Sequence, residues 1–134
     1  MPIWLITLYL LHVGAAFYWL GSTFLVAQAK GKGAERQFPF QMLAAGLAMA
    51  LGAALWGELH PYGIGKMEVV LAVGVACAIG AAGVQGVLVG GAIRKRKSGV
   101  LTEEAALARI RKGHRWAAVL LAVALLAMVG SYHV

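Results

Sequence analysis

The chain has 134 residues, 61% of them hydrophobic and 13% charged, with a mean hydropathy of +0.79. That balance excludes a soluble domain of this size and leaves room for a single domain spanning residues 1–134. The net charge of +7 sits almost entirely in two connections between apolar runs, so topology and anionic lipid account for it and a nucleic-acid partner is set aside.

About 20 apolar residues are needed to cross a hydrocarbon core of about 30 Å. Four such runs follow one another: Ile3 to Ala27, Phe38 to Leu59, Met67 to Ile93 and Trp116 to Val134. No Lys or Arg precedes the first run and charge begins only at Lys30, so the run reads as a retained helix rather than a removable signal. Within it stands His12, too deep to reach water, on a helical face shared with Leu5, Leu8, Tyr9, Ala15, Ala16, Trp19 and Thr23. An imidazole beside small residues and aromatic walls suits a slot for a flat apolar macrocycle whose iron takes the ring nitrogen. A histidine bonded to a neighbouring helix is the structural alternative.

The second helix is expected over about residues 38–59 and ends at a turn, HPYGIGK, in which Pro61, Gly63 and Gly65 suit a tight reversal. His60 stands at the outer end of helix two, and Glu58, Lys66 and Glu68, together with Tyr62, surround that turn. They read either as a local ion pair at the water boundary or as groups that handle protons and bind the polar edge of a ligand. The third helix, about 67–93, repeats Ala76, Gly83 and Gly90 at intervals of seven, a smooth stripe for a packed helix or a close-lying ring. Cys77 is alone in the chain, so it forms no intrachain disulfide. The fourth helix is expected over about 102–133, with Thr102 as its cap, Glu103 and Glu104 in its first turn, and its membrane part from about residue 116.

These elements predict an all-α, integral membrane, antiparallel four-helix bundle in a bacterial inner membrane. The positive-inside rule places both basic connections in the cytoplasm and both termini on the other side. The chain lacks CxxCH, zinc-ligand pairs, a P-loop, a G-x-S-x-G elbow and a dinucleotide fingerprint, which sets aside covalent haem and the usual soluble-enzyme chemistries. Metal-ligand candidates are His12, His60 and His114. By depth His60 is nearer than His114 as an axial partner, though neither is level with His12.

The run LLHVGAAFYWLGSTFL, residues 10–25, resembles the opening helix of the HemJ-type protoporphyrinogen oxidases and also the CopD-like copper-resistance membrane domain. The first resemblance implies haem b on His12 and a functional lysine at the start of helix three, which by position is Lys66 in YGIGKMEVV. It departs from that pattern in having no histidine within helix three, where Gln85 is the one strongly polar residue, and in opening helix four with KGHRW. The resulting expectation is a b-type haem protein acting in electron transfer or in oxidation of a hydrophobic substrate such as a porphyrinogen or quinol. Lys66 would be its catalytic or propionate-anchoring group, and Tyr9, Ala16, Trp19 and Gly83 would line the ring. The alternatives are copper handling through His12 and methionine sulfur, or a non-catalytic subunit that docks in a homo-oligomer or a larger membrane complex.

Overall fold

The computed structural model describes residues 1–134 and is all-helical. Four helices, each long and apolar enough to cross a membrane, make up the chain: α1 (Ile3–Gln28), α2 (Ala34–Leu59), α3 (Lys66–Lys97) and α4 (Glu103–Ser131). Few side chains are enclosed, only 27 of 134 residues being buried, and the exterior carries Leu10, Leu11, Phe17, Leu25, Leu43, Leu47, Ile79 and Leu126.

The sequence boundaries need three corrections. Helix α2 begins four residues before Phe38, at Ala34, because Gly33 takes a left-handed φ of 82° at the N-cap and Glu35 lies in the first turn, where a carboxylate suits the helix dipole. Pro39 is absorbed near that end of the helix. Helix α3 continues through the RKRK run to Lys97, with cations in its last turn, where they complement the dipole. Helix α4 stops at Ser131, with Thr102 capping it by accepting from Ala105 N at 3.2 Å.

Two ends can be told apart by contact. At the basic end, Glu35 accepts from Arg96 and also pairs with Lys97 at 3.2 Å, while Arg111 Nε reaches the Lys30 carbonyl at 3.5 Å. At the terminal end, His60 bonds Glu68, and Tyr9 lies beside Tyr132. Helix α1 packs chiefly on α2, α3 on α4, and α1 also meets α4; α2 touches α3 only lightly, both before α3 changes pitch and where it does.

That change is a π-helical segment, Gln85–Gly90, inside α3. A π turn inserts about one extra residue into the helical period. Residues beyond it are therefore turned relative to those before it, and the stripe expected from sevenfold spacing does not hold together. Ala76 and Gly83 are exposed, and nothing stands within 4 Å of where a Gly83 Cβ would be. Gly90 is buried, with Phe38 Cζ of α2 only 2.7 Å from the position of an added Cβ. The seam with α4 uses other small residues. Gly74 lies against Ala124 and Ala127, and a Cβ on Gly113 would come within 2.8 Å of Val89.

Candidate functional site

His12 is half-buried where α1 crosses α2. Its Nδ1–H donates to the Ala48 carbonyl at 2.8 Å, and the ring lies over Gly52, where an added Cβ would sit 2.9 Å from His12 Cε1. Ala48 and Gly52 are one turn apart on α2, so the contact needs a bare backbone at one position and a small side chain at the other. The Ala48 oxygen can only accept, so Nδ1 carries a proton, and a neutral ring held this way keeps its lone pair on Nε2. No hydrogen bond engages Nε2. This is the arrangement in which histidines commonly bind metals, one nitrogen tied to a carbonyl and the other free.

The other two histidines are held elsewhere. His60 caps the end of α2, eight residues past Gly52 and about 12 Å further toward the terminal end. Its Nδ1–H donates to Glu68 Oε1 at 2.7 Å, and its ring rests beside Trp56 at a centroid distance of 5.6 Å. Glu68 Oε2 accepts from Gly65 N at 2.8 Å, closing the start of α3. The ion pair expected among Glu58, Lys66 and Glu68 does not form, because Glu68 bonds His60 instead. Lys66 is exposed and forms no salt bridge, nor does Glu58.

His114, a metal-ligand candidate in the sequence, is fully buried. Its Nδ1–H donates to the Ile110 carbonyl at 3.1 Å, and its Nε2 stands 3.2 Å from Gln41 Oε1, while Gln41 Nε2 has no partner. A carbonyl oxygen does not bond a lone pair. With a neutral imidazole the pair is completed by turning the amide through 180°, which gives Gln41 Nε2 its acceptor. Both His114 nitrogens are then used, which leaves none for iron. Gln41 is seven residues before Ala48, so this pair lies about 10 Å toward the basic end from His12. The three histidines occupy three levels, and neither His60 nor His114 joins His12 as a second ligand.

Of the proposed ring-lining residues, Trp19 is the most enclosed, 2% exposed among Ala44, Ala45, Ala48, Ala78, Ala81 and Leu121. Ala16 packs against the same cluster, whereas Tyr9 and Gly83 face outward. Sequence reasoning passed over what holds Trp19 in place. Its indole N–H donates to Gln85 Oε1 at 2.6 Å, and Gln85 Nε2 donates to Thr23 Oγ1 at 2.9 Å, all three residues buried. The Gln85 side chain leaves α3 at the first residue of the π segment and ties α3 to α1. Gln85 and Gln41, amides inside apolar runs, were the available signal.

Elsewhere, no three His, Cys, Asp or Glu side chains gather as a protein-only metal cage requires. No family model, curated protein or solved structure matches the chain, and its functional reading rests on its own residues.

Proposed function

We propose that the protein is a membrane-spanning antiparallel four-helix bundle that binds b-type haem through His12 Nε2 and serves electron transfer or the oxidation of a hydrophobic substrate. The observation that carries the reading is the His12 tautomer, with Nδ1 committed to Ala48 and Nε2 free in an apolar setting. The donor set favours haem over a bare copper ion. A copper ion held by protein alone needs several converging ligands, whereas a porphyrin brings four nitrogens and asks the chain for one.

The exposed aliphatic exterior supports a hydrocarbon surrounding, and the clustering of cations at one end supports a cytoplasmic basic end with both termini across the plasma membrane. In this reading Ala48 and Gly52 orient the imidazole, and their lack of bulk lets it lie flat on α2. Lys66, exposed and unpaired at the start of α3, offers its ammonium to a carboxylate at the membrane boundary. When bound, haem would supply a reversible one-electron centre; the chain would hold it by the His12 imidazole and provide a lipid-accessible setting for an apolar donor.

Protein purified from haem-replete cells is expected to show a Soret band that sharpens on reduction, with one haem per chain. A colourless, correctly folded preparation that takes up no added haem overturns the proposal.

A further inference from the structure

We infer that the outward flank of α4 at the basic end holds the phosphate headgroup of an anionic membrane lipid. This inference rests on the membrane-spanning reading above and is independent of haem. A groove of about 490 Å³ runs along that flank, lined by Ala108, Arg111, Lys112, Arg115, Trp116 and Val119. Its three cations are exposed, and none forms a salt bridge. Glu35 is taken by Arg96 and Lys97 of the RKRK run.

The level of the groove identifies the anion. Arg111 leans on the Lys30 carbonyl in the turn that ends α1, so it lies at the mouth of the apolar layer. Arg115 is one turn further in, about 6 Å along the axis. Beyond it Trp116 and Val119 are 56% and 55% exposed and continue the same flank as an apolar wall. A soluble phosphate would use the cations and leave that wall unmatched. A lipid uses both, its headgroup between Arg111, Lys112 and Arg115 and its acyl chain along Val119, with the Trp116 ring at the boundary where indoles settle. Charge and polarity therefore change along the groove in the same order as they do along a phospholipid.

Binding of phosphatidylglycerol to the purified protein in zwitterionic micelles, followed by native mass spectrometry, tests the assignment. Each cation near a membrane surface is worth about a fivefold gain in binding, so Arg111→Gln/Lys112→Gln/Arg115→Gln is expected to bind on the order of 100-fold more weakly. Arg94→Gln/Lys95→Gln/Arg109→Gln, with the same net charge, is expected to keep wild-type binding. Equal losses in both triple variants would show a diffuse charge effect and overturn the site. Equal binding of phosphatidylcholine, or displacement of the lipid by millimolar inorganic phosphate, would overturn the anionic-lipid assignment. Release of the chain from membranes by alkaline carbonate would instead refute the membrane-spanning reading on which the inference stands.

Discussion

Trp19→Ala is expected to lower the unfolding free energy in detergent micelles by about 3–5 kcal/mol, the usual cost of emptying a large aromatic site. The indole fills the space left by alanines on α2, α3 and α4, none of which has a side chain long enough to close over the void. The substitution also removes the donor to Gln85 Oε1. Trp19→Phe separates the two effects. It keeps most of the volume and leaves that oxygen without its donor, for an expected loss of about 1–3 kcal/mol. Equilibrium unfolding monitored by helical circular dichroism reads both. If Trp19→Ala unfolds within experimental error of the wild type, Trp19 is not the wedge that joins α1 to the other helices.

Gly52→Val is expected to weaken haem binding about 10–100-fold, the range typical for losing the group that orients a metal-bound histidine. Even a single Cβ at this position would meet His12 Cε1 at 2.9 Å, so the ring must swing and release Ala48. Gly57→Val is the matched control, since nothing lies within 4 Å of an added Cβ there. Haem titration of both variants, with helical content checked alongside, tests the orientation argument. Equal affinity in Gly52→Val and the wild type would show that the ring over Gly52 has no part in binding.

The four helices were legible because hydrocarbon thickness imposes a minimum apolar length, and each run meets it. Their ends were less so. Helix α2 gained its first residues from a glycine at positive φ and from Glu35, whose carboxylate pairs with cations on α3, neither of which a hydropathy pattern registers. His12 stood out as a polar group in an apolar run, yet which nitrogen is free depends on the Ala48 carbonyl of another helix. The Gly83 stripe failed for a local reason. Sevenfold spacing marks one face only while the helical period is constant, and the π segment at Gln85–Gly90 breaks that period before Gly90 is reached. The burial of His114 is hidden in the sequence because its neighbours there are cations. Its neighbours in space are Gln41 and the Ile110 carbonyl.

The decisive measurement is haem content per chain in His12→Gln, His60→Ala and His114→Gln. Glutamine at position 12 retains an N–H able to reach the Ala48 carbonyl while removing the ring nitrogen, so it separates a helix clasp from an iron ligand. The account predicts haem lost from His12→Gln, with helical content and melting behaviour kept, and haem retained in the other two. Full haem in His12→Gln, or its loss only in His60→Ala or His114→Gln, would contradict it.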